Sequence, residues 1–368
     1  MREGWKYKRL GDVCDKGSSN IVINKLGDNN GDYPLFGASG LVKNVDFYHQ
    51  DRPYIGIVKD GAGVGRVNTY PAFSSLVGTM QYILPKEECL LNYIKYFLIK
   101  LDLSHCVSGA TIPHIYFKDY GKSLIPIPSI NEQQSIVAEL DKINELISLK
   151  KSQLSDLDAL AQSIFYDMFG DPVVNEKGWE VKRLKDMGKV ITGNTPSKSV
   201  PEYYGQKHIE WIKTDNIEKD SLTPSTAKEY LSEEGAKHGR VVSRGSLLVA
   251  CIAGSLESIG KSCVTDRSVA FNQQINAITP NASTNVLFLY HLIASMKKVI
   301  EEKASTGMKH ILTKGAMEEI NFPLPPLPLQ QSFAAKIEAI ERQKQQVKQS
   351  LKDLETLLAS RMQYWFDN

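Results

Sequence analysis

The feature that most constrains the fold of this chain is an internal repeat. Gly4, Trp5, Lys8, Arg9, Leu10 and Asp12 recur as Gly178, Trp179, Lys182, Arg183, Leu184 and Asp186, displaced by 174 positions. Pro126, Ile127 and Pro128 ahead of Gln133, Gln134 and Ser135 recur as Pro323, Leu324 and Pro325 ahead of Gln330, Gln331 and Ser332, now displaced by 197, and Met168 and Phe169 match Trp365 and Phe366. The displacement grows because the stretches between these anchors differ in length and sequence, so a duplicated frame holds divergent contents. A shared scaffold needs the same packing residues twice, whereas two surfaces facing different ligands need not resemble each other. The pattern points to two related but distinct specificities, with plain duplication and drift as the alternative.

Residues 131–169 contain neither Gly nor Pro, and Ile136, Leu140, Ile143, Ile147, Lys150, Leu154, Leu157, Ala161, Ile164 and Met168 fall at alternating steps of four and three. That is the 3.5-residue period of a coiled-coil seam. Ser129 followed by Glu132 is a capping-box signature for the helix start. The second copy, 329–368, repeats the period through Phe333, Ile337, Ile340, Lys344, Val347, Leu351, Leu354, Leu358, Arg361 and Trp365, with Pro328 suited to a first turn. Each seam carries a lysine, Lys150 or Lys344, which either sets register or snorkels its ammonium to water. A helix of about 39 residues is ~58 Å long, more than a small domain needs. The expected fold is therefore α+β, with two mixed α/β domains, 1–130 and 170–328, separated by two long spacer helices, 131–169 and 329–368. The alternative is two helices packed on their own domains.

In the first insert 54–58 and 79–84 read as strands and 91–103 as an amphipathic helix; in the second, 246–252 and 275–279 read as strands and 285–303 as a helix. In both copies the helix leads to a loop with glycine and histidine: Gly109, Ala110, Thr111, Ile112, Pro113, His114, Ile115 and Thr306, Gly307, Met308, Lys309, His310, Ile311. Their matching placement makes them candidates for a shared task. Gly254, Gly260, Lys261 and Ser262 imitate a phosphate loop, but Ser255 stands where the first glycine is required and a β-like stretch follows in place of a helix. Gly61, Gly63 and Gly65 imitate a dinucleotide loop, but Arg66 interrupts the pattern; these glycines suit a hairpin or a backbone approaching a phosphate. The histidines (His49, His105, His114, His208, His238, His291, His310) lack metal-ligand spacing, and neither a Pro-Asp nuclease motif nor an Asn-Pro-Pro-aromatic methyltransferase motif occurs. The residues fit a chain that binds and does not catalyse.

With 368 residues and 42% apolar content, the chain can fill two ordinary cores. A net charge of +2 is a weak pointer to nucleic acid, although the large inserts are mildly basic while 131–169 sets three basic against seven acidic side chains. No leader-like start and no apolar run of the ~18–20 residues a membrane span needs is visible. Cys14, Cys89, Cys106, Cys251 and Cys263 never form C-x-x-C, as suits buried or incidental thiols in a reducing compartment. A soluble, cytoplasmic protein without membrane contact is expected.

Trp5 or Trp179 ahead of Lys-Arg-Leu, the divergent inserts, the proline-rich exit into Gln133-Gln134 or Gln330-Gln331, and the helix ending in Phe169 or Phe366 together resemble the type I restriction-modification specificity (S) subunit family. The resemblance covers essentially the whole chain, and Phe271, Asn272, Gln273, Gln274 and Ile275 resemble a strand motif of that family's recognition domains. It implies that each insert is a target-recognition domain reading half of a bipartite site on double-stranded DNA. It also implies that the helices form an antiparallel coiled coil that sets the spacing and docks two modification (methyltransferase) subunits. No cofactor is implied on this chain; S-adenosylmethionine, ATP and Mg would belong to the modification and restriction (translocase/endonuclease) subunits. Phosphate contacts come from Lys and Arg, and discrimination from bidentate or apolar contacts to base edges. The candidates are Lys43, Lys59, Arg66, Thr111 and His114 in the first domain, and Lys213, Thr214, Asn216, Arg244, Lys261, Lys309 and His310 in the second. The competing class is a duplicated-domain protein-interaction scaffold without DNA specificity.

Overall fold

The computed structural model describes residues 4–109, 111–218, 221–305, 307 and 309–367. Ala110, Thr306 and Met308 of the two glycine–histidine loops lie outside the described residues. The chain divides into two compact units, 1–152 with 348–368, and 153–347.

In the first unit Lys6–Arg9 pairs antiparallel with Leu124–Ile127, tying the entry of the insert to its exit. The repeated Lys-Arg-Leu and Pro-Ile-Pro anchors are thus the two sides of one clasp, and Leu10 just beyond it is fully buried. Inside the clasp a four-stranded antiparallel sheet runs Cys14–Ser18, Met80–Pro85, Tyr54–Val58, Val67–Tyr70. Tyr54–Val58 is buried at all five positions, which is why it reads as a continuous apolar run and not as an alternating one. A smaller sheet orders Gly40–Val45, Tyr33–Gly37 and Ser75–Leu76. Helix Leu91–Leu101 packs Tyr93, Ile94 and Phe97 into the core. It stops short of the expected 103 because Asp102 turns left-handed, at φ 48°, and its carboxylate accepts the Ser104 N–H of a new 3₁₀ turn.

The second unit repeats the clasp, Val181–Arg183 with Asn321–Pro323, and the strand order, Gly188–Thr192, Ile275–Pro280, Leu247–Ala250, Ser262–Val264. Its other main sheet, Tyr230–Leu231, Ile209–Ile212, Val269–Phe271, Val241–Val242, keeps the order of the first unit's smaller sheet, with one antiparallel and one parallel neighbour on the central strand, and adds a fourth strand, Val241–Val242. Two expectations are corrected. The helix over 285–303 is two helices, Val286–Ser295 and Lys297–Glu302, because Met296 leaves helical geometry at φ −98°, ψ 18°. The 271–275 stretch is not one strand: it ends a strand at Phe271, turns as Asn272 Oδ1 accepts the Gln274 N–H at 3.1 Å, and starts another at Ile275.

The long helices span Ile130–Phe169 and Leu327–Asp367. The first begins on the expected box, with the Glu132 N–H donating to Ser129 Oγ at 3.3 Å and the Ser129 N–H to Glu132 at 3.0 Å. In the first unit Arg361 pairs with Glu139, and Lys151 with Glu355 at 3.5 Å. In the second, Lys344 pairs with Asp158 at 2.8 Å, and the Phe169 and Phe333 rings lie 5.3 Å apart. In each unit the partners' numbers run in opposite directions, so the paired segments are antiparallel. Ile136, Leu140, Ile143, Ile147, Leu157, Phe333, Ile337, Ile340 and Val347 are buried, and Leu154, Ile164, Leu351, Leu354 and Leu358 half-buried. Lys150 is half-buried, whereas Lys344 does not snorkel; its ammonium sits between Asp158 and Glu341, each at 2.8 Å. Burial pulls the Lys344 pKa down, but the two carboxylates outweigh it and the net shift is upward.

Gln133 and Gln330 are completely buried. Gln133 Oε1 accepts the Leu90 N–H at 2.9 Å while Nε2 donates to the Glu88 and Pro128 carbonyls at 2.9 and 3.2 Å. Gln330 repeats this with the Asn285 N–H at 2.8 Å and the Ser283 and Pro325 carbonyls at 3.1 and 2.7 Å. Each glutamine fastens the start of a domain helix to the start of a long helix, which is why it appears twice. All five cysteines are free, and burial pushes the Cys251 and Cys263 thiols up to about 12. No described helix is long and apolar enough to cross a membrane.

Candidate nucleic-acid interface

The two four-stranded sheets share more than strand order. In the first unit the Val58 N–H donates to Arg66 O at 3.0 Å and the Gly65 N–H to Val58 O at 2.8 Å, closing a hairpin. In the second the Ala250 N–H donates to Lys261 O at 2.8 Å and the Gly260 N–H to Ala250 O at 2.9 Å. Gly65 and Gly260 both adopt left-handed φ, 86° and 78°, which a side chain would strain. Arg66 and Lys261 are therefore structural equivalents, a cation at the closing corner of each hairpin.

Beside that corner the Lys59 and Asp60 N–H groups both donate to Thr79 O, as the Cys251 and Ile252 N–H groups both donate to Gln274 O. The glycine–histidine loops dock there too: the Ile115 N–H bonds Lys59 O at 2.9 Å, and the Leu312 N–H bonds Cys251 O at 2.8 Å. One end of each sheet thus gathers a hairpin, a strand-opening turn and a returning loop. In the first unit this brings together Lys59, Arg66, Thr111 and His114; in the second, Lys261, Lys309 and His310.

The loops match, but their histidines do not. Ser108 pairs with His114 and Ser305 with Ile311, so His114 corresponds to Ile311 and His310 to Pro113. A one-residue offset on a two-stranded ribbon turns a side chain to the other face, so no task common to the two histidines follows from placement. His310 is half-buried, and its Nδ1 has no hydrogen-bond partner among the described residues.

The remaining candidates stand elsewhere or are engaged. Lys43 lies on the edge strand Gly40–Val45 and donates to Gly27 O at 3.4 Å. Arg244 is exposed in the turn before Leu247–Ala250, at the end of that strand opposite Ala250. Lys213 and Thr214 follow Ile209–Ile212, where the Lys213 ammonium is paired with Glu229 and lies 4.9 Å from the Trp211 ring. The Lys213 hydrogen bond holds the Glu229 carboxyl below the usual carboxylate range. Asn216 is buried: its Oδ1 accepts the Lys213 N–H at 3.0 Å, and its amide reaches Ser225 Oγ and the Thr226 carbonyl, so it caps its own turn. No carboxylate among the described residues pairs with Arg66, Lys261 or Lys309, although Arg66 Nη1 donates to Ala38 O at 2.8 Å and Lys59 pairs with Asp60 at 3.8 Å.

Residues not anticipated for this surface join it. Gln273 is exposed on the strand-opening turn and accepts a hydrogen bond from Thr195, and Asn194 lies beside them. In the first unit, 19–24 and 77–79 line a cleft of about 490 Å³ that includes Asn20, Asn24 and Thr79. Asn and Gln are the side chains that pair bidentately with adenine; their clustering at strand ends was the available signal. Among the described residues no cluster of three His, Cys, Asp or Glu could hold a metal ion.

Comparison with known proteins agrees with this architecture. A 169-residue stretch is 31% identical to the HindI specificity subunit of Haemophilus influenzae, covering 45% of this chain and 36% of that protein. A 281-residue stretch is 26% identical to the MjaIX specificity subunit of Methanocaldococcus jannaschii, covering 70% of this chain and 64% of that one. The chain thus spans less than two thirds of these relatives. In fold it is similar, with a TM-score of 0.62 and 15% identity, to a type I restriction-modification S subunit from M. genitalium, over 100% of this chain and 97% of that one. Residues 2–158 and 176–356, most of both repeats, match the type I restriction modification DNA specificity domain, and the chain belongs to that family.

Proposed function

We propose that this chain is the non-catalytic, DNA-reading subunit of a type I restriction-modification complex. The recognition domains, 1–130 and 170–328, each read one half of a bipartite target. The spacer helices, 131–169 and 329–368, set the gap and dock two modification subunits, which a restriction subunit joins. Methyl transfer and ATP-driven cleavage belong to those partners, in the cytoplasm. The observation that carries the reading is the corresponding end of the two sheets: an identical backbone frame, a cation at the same corner (Arg66, Lys261), and surrounding loops of unrelated sequence. A frame kept while its contents change is what two different half-sites require.

The test exchanges 170–328 for the corresponding segment of a relative and maps modified bases in a host genome. One half of the recognised site is expected to change and the other to stay; alteration of both halves would sink the modular reading. A protein scaffold without DNA specificity predicts no DNA binding by chain plus modification subunit, whereas a DNA reader predicts binding that weakens steeply with salt.

A further inference from the structure

The two long helices align at the same displacement of 197, and of the exposed side chains kept alike in both, Gln134, Ser135 and Lys151 among them, one pair is large and apolar: Leu160 and Leu357, flanked by Asp156 and Ser163 in one helix and Asp353 and Ser360 in the other. All six are exposed, Leu160 at 47% and Leu357 at 45%. At spacings of four and three they share one helix face, off the seam formed by Leu157 and Ala161 or Leu354 and Leu358. A single exposed leucine is ordinary. The same leucine kept twice with the same polar flanks, where neighbouring exposed Leu146 and Leu149 have become Gln343 and Gln346, needs a reason outside the chain's own packing.

We infer that Leu160 and Leu357 are the centres of two equivalent docking patches, each taking one copy of the modification subunit. This rests on the proposed function and adds its contact residues. Two copies of one partner impose the same surface twice, a pressure that keeps an exposed leucine alike in both helices while the recognition loops diverge. No cation among the described residues pairs with Asp156 or Asp353; Asp353 Oδ1 accepts a neutral amide hydrogen bond from Gln349 at 2.8 Å. The matching partner surface is therefore an apolar cleft for leucine with a Lys or Arg on its rim.

The experiment mixes the full chain with the modification subunit encoded alongside it and counts bound copies by native mass spectrometry. The wild type is expected to hold two copies, Leu160→Asp one, Leu357→Asp one, and the double variant none. The milder Leu160→Ser and Leu357→Ser should weaken one of the two binding steps about tenfold or more. Val174→Asp, at a 71% exposed position outside the helices, should leave both copies bound. Retention of two copies by either aspartate variant, with unchanged circular dichroism, overturns the patch assignment alone. A wild-type chain that recruits no modification subunit overturns the proposed function with it. Self-association of the chain that Leu160→Asp abolishes makes the occupant a second copy of this chain and also overturns the inference.

Discussion

Gln133 and its neighbour Gln134 separate two kinds of repeated residue. Both recur in the second copy, but Gln133 is buried with three hydrogen bonds while Gln134 faces water. Truncating Gln330 to Ala leaves one N–H and two carbonyls without their partner, and a buried unsatisfied group costs roughly 1–3 kcal/mol. Gln330→Ala and Gln133→Ala should each lower unfolding free energy by about 3 kcal/mol in urea titrations, while Gln134→Ala should stay within about 0.5 kcal/mol. Equal losses at 133 and 134 would contradict the fastening role. The repeat is readable in sequence because both glutamines are there to compare. Which of the pair is inside is set by helix phase against a domain helix more than forty residues away, which no local pattern displays.

The helix Val286–Ser295 packs His291 into the second unit, its ring 5.2 Å from Phe333 and 6.4 Å from Phe165. With Tyr290, Lys344, Asp158 and Glu341 it borders a cavity of about 250 Å³. Burial, with Lys344 nearby adding to it against the opposing Asp158, lowers the His291 pKa from 6.5 to about 4. Above pH 6.5 the imidazole is neutral whether the chain is folded or not, so it costs nothing. As pH falls from 6.5 toward 4 the unfolded chain takes up a proton that the folded one refuses, and stability drops by up to about 1.4 kcal/mol per pH unit. His291→Phe, a ring suited to its aromatic neighbours, should flatten that part of the thermal-stability profile; parallel wild-type and variant curves between pH 6.5 and 4 would rule the effect out. The long helices were legible because their period is written in consecutive residues, and the buried strand Tyr54–Val58 because it reads as a continuous apolar run. The break at Met296 was not, since neither Gly nor Pro marks it, and the strands of the second unit's second sheet are only two to four residues long, too short to display a period.

For the whole chain, the equivalence of Arg66 and Lys261 makes a paired prediction. Arg66→Ala and Lys261→Ala should each weaken DNA binding by the reconstituted complex and reduce the salt dependence by about one phosphate contact. Arg244→Ala, at the opposite end of Leu247–Ala250, should change neither; salt titrations of affinity measure all three, and an effect confined to Arg244 would relocate the interface. Charge and loop membership nominated Arg66, Lys261 and Lys309 alike with Asn216, whose hydrogen bonds go to its own turn, and Lys213, whose ammonium meets Glu229; the different surroundings of these residues are visible only in the folded chain. By itself the sequence determined the duplication, the heptad seams and the split between a constant frame and variable inserts, because these are relations among residue types at set spacings. Only the tertiary structure decided which loops share one end of a sheet, that Arg66 corresponds to Lys261 while His114 does not correspond to His310, and which glutamine is buried. Those outcomes depend on hydrogen bonds whose partners lie from six residues apart in the returning loops to more than forty at the glutamines, and a one-residue change of register reverses a side chain and leaves the composition untouched.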